Sequence, residues 1–190
     1  MSKKLEKNYE LLIHSFLNQL ESTAYDKITI EQVSSASNMT RVNFYQYFTD
    51  KEDLLWKSFQ SIYLDVQKKA ESLDHVTFLS DGRPLTYYAF LNIKENRKFY
   101  KRLFVDGMPY EFFTKVVDFI TNESFRTHKV IREKYNYPRL PYLFVNQFFS
   151  GAFINIVRNL LVSEEDWDPL EISEFFTKIA LNGINGIIEI

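Results

Sequence analysis

Three side chains that can read nucleic-acid bases occur close together in the sequence, at Arg41, Asn43 and Gln46. Arg can donate two hydrogen bonds to O6 and N7 of guanine, whereas Asn and Gln can pair with the edge of adenine, and Val42 can contact only the methyl group of thymine. Neighbouring hydroxyl and ammonium groups could donate to phosphate oxygens, which sets register without reading sequence. These neighbours are Thr29, Thr40, Tyr45, Tyr47 and Lys51. The set indicates base and phosphate recognition.

A helix ahead of these residues would hold them in place. Thr29 is followed three residues later by Gln32, the spacing of a capping box, in which the two side chains satisfy free backbone N–H groups of the first helical turn. The pair predicts a helix over residues 30–37. Its inward-facing residues are expected to be Ile30, Val33 and Ala36.

A short turn and two further helices are expected next. Asn38 tolerates the left-handed backbone conformation better than most residues, so it can end the preceding helix. Thr40 can cap a helix over residues 41–47, and Asp50 can cap a longer one that starts near residue 51. Apolar residues recur at spacings of three and four over residues 3–22, which predicts an amphipathic first helix. The result is a helix-turn-helix, whose second helix enters the DNA major groove in proteins that use it.

Residues 30–55 resemble TetR-type transcriptional regulators, and the resemblance covers about the first 60 residues. The family signature ends in an aromatic pair, a Tyr-x-Tyr-Phe-like run, Lys-Glu and paired leucines. The matching residues here are Phe44, Tyr45, Gln46, Tyr47, Phe48, Lys51, Glu52, Leu54 and Leu55. Ser37 and Asn38 replace the usual Ala-Gly of the turn, and Val42 stands where Gly or Pro is frequent. Phe44, Phe48 and the two leucines are expected in the core.

The resemblance implies an all-α fold with two parts. Residues 1–50 would form a three-helix DNA-binding domain, and residues 51–190 a long fourth helix followed by a helical effector-binding and dimerisation domain. The expected function is a DNA-binding transcriptional regulator, in the first instance a repressor, controlled by a small ligand or a partner protein. Its expected partners are double-stranded operator DNA and a second copy of the chain.

The charge of the N-terminal part leaves an alternative open. Residues 1–60 hold seven Lys and Arg against eight Asp and Glu, a balance of −1. A strongly basic footprint is therefore missing, and phosphate contacts are expected to be few. The alternative is an activator or co-regulator that acts mainly through protein–protein contacts and carries a degenerate helix-turn-helix.

The residues beyond the fourth helix differ in composition from those before it. Fourteen of the 18 Phe, and all five Gly and all five Pro, lie past residue 77. The boundary is expected between residues 72 and 84. Helices are predicted over residues 84–95, 97–105, 109–131, 141–161 and 168–189, and no segment is predicted to be a strand.

A ligand pocket among aromatic residues is one interpretation of this region, which weakly resembles the regulators of dihydroxyacetone kinase operons. That resemblance implies either a small effector in a helical pocket or a docked partner protein. The candidate pocket residues are Phe99, Tyr100, Phe104, Phe112, Phe113, Tyr142, Asn146, Phe149 and Phe153. A packed core is the alternative for the same aromatic residues.

The last two helices are expected to form a dimer interface, as the resemblance implies. Gly151 and Ala152 would allow close helix approach. The apolar stripes are Phe153, Ile156, Val157, Leu160 and Leu161 on one helix, and Phe176, Ile179, Ala180, Gly183, Ile184, Ile187 and Ile188 on the other. An intramolecular core is the alternative.

Other classes of function have little support in the sequence. There is no nucleophile paired with a base, no phosphate-binding loop and no dinucleotide fingerprint, so an enzyme is not expected. The chain has no Cys, and neither its three His nor any other pattern predicts a metal or cofactor. No secretion signal or membrane span is indicated, and a cytoplasmic protein is expected.

Overall fold

The computed structural model describes the backbone of residues 3–74, 79–135 and 142–188. Side chains are described within these ranges except at residues 127–135, 142 and 184–188. The described part is almost entirely helical, as the sequence predicts. None of its helices combines the length and apolarity needed to cross a lipid bilayer.

Three helices form the N-terminal part: α1 Lys3–Leu20, α2 Ile30–Ala36 and α3 Arg41–Phe44. α1 ends two residues earlier than predicted. α3 is also shorter than the predicted 41–47, because the chain continues as a turn through Tyr47. Their shared core consists of Leu12, Ile13, Phe16, Leu20, Val33, Phe44 and Phe48.

The prediction that Ala36 faces inward is wrong, because its side chain is exposed. On a helix, positions three and four apart share a face. The buried row of α2 runs through Val33 and Ser34 to Ser37, and Ala36 lies beside that row.

The predicted helix caps are confirmed. The Thr29 hydroxyl accepts from Gln32 N–H at 3.2 Å, and Gln32 Oε1 accepts from Thr29 N–H at 2.8 Å. Thr40 caps α3, and the Asp50 carboxylate accepts from Asp53 N–H at 2.8 Å, where α4 Lys51–Glu71 begins. Local hydrogen bonds therefore fix where these helices start.

A small hairpin follows α4, contrary to the expectation of no strand. β1 Leu79–Ser80 pairs antiparallel with β2 Arg83–Pro84. Asp81 and Gly82 connect the strands with φ angles of +51° and +74°. Two consecutive left-handed residues make the turn whose twist suits a two-residue hairpin, and Asp-Gly is a preferred sequence for it.

The remaining helices build the C-terminal part. They are α5 Leu85–Glu95, α6 Arg97–Lys101, α7 Tyr110–Tyr135, α8 Tyr142–Val162 and α9 Pro169–Ile188. The predicted helix over 97–105 is α6 continued by a π-helical segment, Arg102–Gly107. Rings from α4 and α7 interlock around Phe59, and rings from α8 and α9 pack around Phe90 of α5. The hydrophobic core is thus continuous from the N-terminal helices through α5 to α8.

Candidate nucleic-acid interface and regulatory surfaces

The turn between α2 and α3 is held by its own backbone. Asn38 has a φ of +54°, and its N–H donates to Ser35 O at 3.0 Å. Met39 N–H reaches back to Ser34 O at 2.9 Å. These two bonds make a Schellman motif, which normally favours Gly at the left-handed position. Asn38 therefore provides the turn geometry for which the family that the sequence resembles usually has Ala-Gly.

The outer surface of α3 and the turn after it carries most of the predicted base readers. Arg41, Val42 and Gln46 are exposed, and Val42 is 74% accessible. Phe44 and Phe48 lie on the opposite side and are buried, as expected. One side of this segment is thus anchored in the core while the other presents guanidinium, methyl and carboxamide groups to solvent.

Arg41 is held by Tyr45 one turn later. Its Nε and Nη2 donate to the Tyr45 hydroxyl at 3.4 and 3.1 Å, and the guanidinium carbon lies 5.7 Å from the ring centroid. The hydrogen bond raises the pKa of Arg41. The guanidinium is therefore positioned on the exposed surface, and Tyr45 itself remains accessible.

Asn43 has a structural role that was not predicted from the sequence. Its Oδ1 accepts from Thr40 N–H at 3.2 Å and from the Thr40 hydroxyl at 2.7 Å, which completes a second capping box. Bidentate pairing with adenine needs that same oxygen as an acceptor. Such pairing would compete with the cap. The spacing of Thr40 and Asn43 matches that of Thr29 and Gln32, so the signal was present in the sequence.

Lys51 joins the start of α4 to the loop before α2. Its Nζ donates to the backbone oxygens of Tyr25 and Ile28, each at 2.9 Å, and lies 4.2 Å from the centre of the Tyr25 ring. Burial lowers the pKa of Lys51. An ammonium has three N–H groups, so a phosphate could still be bound by the third. No local sequence pattern points to the contact with Tyr25, because Tyr25 lies 26 residues from Lys51.

The remaining predicted phosphate contacts are near the same surface. Thr29 and Thr40 stand exposed immediately before α2 and α3. Tyr47 is half-buried, and its hydroxyl accepts from Asn8 Nδ2 at 3.0 Å. The structure thus gathers the nine predicted DNA-binding residues around one helix-turn-helix.

The predicted ligand pocket divides into packed and cavity-lining residues. Phe149 and Phe153 line a cavity of about 180 Å³ between α4, α5, α7, α8 and α9. Four others are buried in the core: Phe99, Tyr100, Phe104 and Phe112.

Two of the other three candidates, Phe113 and Asn146, have described side chains and do not line this cavity. Phe113 packs edge-on against Phe104, with ring centroids 5.8 Å apart. Asn146 is buried, and its Oδ1 accepts from the Ser124 hydroxyl at 2.9 Å. The side chain of Tyr142 lies outside those that the structure describes.

The exposed apolar face of α8 and α9 differs from the stripes read in the sequence. Val157 and Leu161 are buried in the chain's own core. The large apolar side chains exposed on these helices are Leu143, Phe144, Phe148, Val162, Phe175 and Ile179. Of the stripe on α9, Ile179 is exposed, whereas the side chains of Ile184, Ile187 and Ile188 lie outside the described set.

Comparison with known proteins places the fold. No protein-family model matches the chain. The curated HTH-type dhaKLM operon transcriptional activator DhaS of Lactococcus lactis is 22% identical over 166 residues, which cover 85% of this chain and 83% of DhaS.

Solved structures agree with this relative. A dihydroxyacetone kinase operon activator DhaS aligns with a TM-score of 0.65 at 17% identity, covering 94% of this chain and 96% of that one. NalD, the secondary repressor of the MexAB-OprM efflux pump in Pseudomonas aeruginosa, aligns with a TM-score of 0.71 at 16% identity and the same coverages. A TetR transcriptional regulator from Streptococcus agalactiae gives 0.67 at 19% identity, covering 96% of each chain. The chain has the all-α fold of TetR-type regulators, and the expected resemblance is confirmed.

Proposed function

We propose that this chain is a DNA-binding transcriptional regulator of the TetR type that acts as a homodimer on double-stranded operator DNA. Residues 1–50 bind DNA, and residues 51–190 connect, dimerise and receive the regulatory signal. The observation that carries the proposal is the helix-turn-helix, whose second helix presents Arg41 and Val42 outward while Phe44 anchors it. The protein works in the cytoplasm and is not an enzyme.

Arg41 and Gln46 are the principal base readers. Arg41 approaches the major groove with its guanidinium already oriented by Tyr45, which lowers the entropy lost on binding a guanine. Val42 packs against a thymine methyl. Asn43 maintains the start of α3 and reads adenine only where its bond to Thr40 opens.

Phosphate contacts come from the residues around this helix. The Tyr45 and Tyr47 phenols and the third N–H of Lys51 donate to phosphate oxygens of the DNA, and the Thr29 and Thr40 hydroxyls do so only where their bonds to Gln32 and Asn43 open. Such contacts set register and carry most of the salt dependence. Residues 1–60 have a net charge of −1, so few cationic groups contact phosphate and DNA affinity falls only modestly as the salt concentration rises.

Dimerisation is supported by the exposed apolar face of α8 and α9. Phe144, Phe148, Phe175 and Ile179 are large apolar side chains that are all more than half exposed in the single chain. Large exposed apolar side chains of this kind indicate an interaction surface. Burying it against a second copy forms a four-helix contact related by a two-fold axis.

A two-fold dimer makes the operator a near-palindrome. The two recognition helices lie roughly 34 to 36 Å apart when they enter successive major grooves. Selection from a pool of random duplexes is therefore expected to enrich two inverted half-sites about one helical turn apart. Enrichment of a single unrepeated half-site would contradict the symmetric dimer, and no enrichment at all would contradict DNA binding.

Replacing Arg41 tests the base-reading surface. Arg41→Ala is expected to weaken operator binding by roughly 1 to 3 kcal/mol and to relax the preference at one base pair of each half-site. Fluorescence anisotropy across single-base operator variants measures both effects. Arg83→Ala removes the same charge from the hairpin and should leave affinity and preference unchanged. Equal preference profiles for Arg41→Ala and the unmodified protein would exclude Arg41 as a base reader.

Activation through protein contacts is the second candidate for the mode of action. It is favoured by the acidic balance of the N-terminal part and by the role of the similar protein DhaS as a transcriptional activator. Transcription in vitro from a promoter joined to the selected operator separates the two modes, because a repressor lowers transcript yield and an activator raises it.

A further inference from the structure

The cavity in the C-terminal part lies between the end of α4, the start of α5 and the middle of α7, α8 and α9. Val66, Gln67 and Ala70 of α4 form one wall, and Phe149 and Phe153 of α8 form another. It measures about 180 Å³. An engineered apolar cavity of ~150 Å³ in another protein binds benzene, so this one can take a ligand of roughly six to ten non-hydrogen atoms.

Most polar groups in the wall are already bonded within the protein. The Thr86 and Thr177 hydroxyls bond each other at 2.9 Å, and the Ser124 hydroxyl donates to Asn146. The Ser150 hydroxyl donates to the backbone oxygen of Asn146. These hydroxyls therefore contribute little to ligand recognition.

Two neutral polar groups remain in the wall. Neither the Tyr63 hydroxyl nor the Gln67 carboxamide makes a hydrogen bond to any residue that the structure describes, and both residues line the cavity. Burial and the Glu123 charge raise the pKa of Tyr63, which stays a neutral phenol and a donor. A hydroxyl or carbonyl group on a ligand would satisfy these two side chains.

The described wall of the cavity carries a negative charge. Glu123 is the charged residue among the described lining side chains, and its carboxylate is mostly buried. It accepts from Arg126 at 3.1 Å, so it is already matched by a cation. A ligand carboxylate would lose its hydration and lie near a like charge in a medium of low dielectric constant. A ligand ammonium would have to compete with Arg126.

We infer that this cavity binds an uncharged, mostly apolar molecule of about six to ten non-hydrogen atoms that carries a hydroxyl or carbonyl group. The inference rests on the proposed function, since it names the class of effector for the regulator. It predicts that a carboxylate binds more weakly than an uncharged molecule of the same chain length.

Three probes with one chain and different head groups test the inference. 1-Octanol, octanoate and octylammonium are titrated into the full-length protein at pH 8, where both charged heads are ionised. Calorimetry is expected to give octanol an affinity at least about tenfold above that of octanoate, and above that of octylammonium. Tighter binding of either charged probe, or no binding of octanol, would overturn the inference.

Two variants locate the effect in the cavity. Glu123→Gln should raise the affinity for octanoate at least about threefold, because the like charge is removed and Arg126 is released. It should leave the affinity for octanol unchanged. Glu111→Gln makes the same change on the exposed start of α7 and should alter neither probe. Tyr63→Phe removes only the hydroxyl and should weaken octanol several-fold. Octanoate binding unchanged by Glu123→Gln, or octanol binding unchanged by Tyr63→Phe, would contradict the assignment.

DNA binding is measured on the same preparations with the selected duplex. Operator binding without octanol binding would overturn the ligand class alone. Loss of operator binding in the unmodified protein would instead overturn the proposed function, whatever the probes do.

Discussion

Ile179→Asp is expected to convert the dimer to a monomer and to weaken operator binding at least about 100-fold. Ile179 is 66% exposed in the single chain, beside Phe175 on α9. An Asp there would be buried without a partner if the two copies met, which costs roughly 3 to 5 kcal/mol, and the two-fold axis places it in the interface twice. Two linked half-site contacts gain about 10² to 10⁴ in affinity over one. Light scattering and operator titration measure the two effects.

Leu64→Asp is the matched control for this change. Leu64 is an exposed apolar residue on α4, a different helix from α8 and α9, and is 46% accessible. The same substitution there should leave both the mass and the operator affinity unchanged. A well-folded dimer of the Ile179→Asp protein would place the interface elsewhere.

Phe59→Ala is expected to lower the free energy of unfolding by about 3 to 5 kcal/mol. Phe59 is fully buried, and its ring lies 5.5 Å from that of Phe119 and 5.4 Å from that of Trp56. Truncation removes the contacts of a whole ring and leaves a void that these large neighbours cannot fill without moving. Urea denaturation at one fixed protein concentration measures the loss, because dimer stability depends on concentration.

Leu64→Ala provides the comparison on the same helix. It shortens an apolar side chain that is exposed to solvent rather than buried in the core, so the free energy of unfolding is expected to change by no more than about 0.5 kcal/mol. A loss below about 1 kcal/mol for Phe59→Ala would mean that the aromatic cluster is loosely packed, contrary to the ring contacts.

The helix-turn-helix was predictable because its determinants are local. Thr29 bonds Gln32 three residues away, and the Asn38 turn is closed by bonds within five residues. Hydrophobic spacing predicts the buried face of α1 by the same short-range geometry. What escaped prediction depends on distance along the chain, such as the contact of Lys51 with Tyr25.

The cavity was harder to place because aromatic residues occur both in the packed core and in the cavity wall. The pocket residues predicted from the sequence are mainly aromatic, and most of those with described side chains pack against one another. The cavity is lined by large side chains such as Phe149 and Phe153, and also by the small residues Ala70, Ala89 and Ala180. Which residues face a gap depends on how five helices meet, and no local pattern encodes that.

The outer face of α8 was misread for a related reason. This helix is apolar on more than one side, so periodicity alone cannot tell which side meets the chain's own core. Val157 and Leu161 face inward, whereas Phe144 and Phe148 face outward. Tertiary packing decides between the two stripes.

The 21 residues of α4 make a rod about 30 Å long, and its two ends have different roles. One end supplies the cavity wall at Gln67 and Ala70, and the other holds the loop before α2 through Lys51. If the rod pivots at its cavity end by about 5°, its first turn travels an arc of about 2 to 3 Å. Lys51 would carry the loop before α2 along that arc. In a two-fold dimer the two arcs run in opposite directions, so the distance between the recognition helices would change by up to about 5 Å. At that distance the two helices could no longer enter successive major grooves of a rigid duplex together.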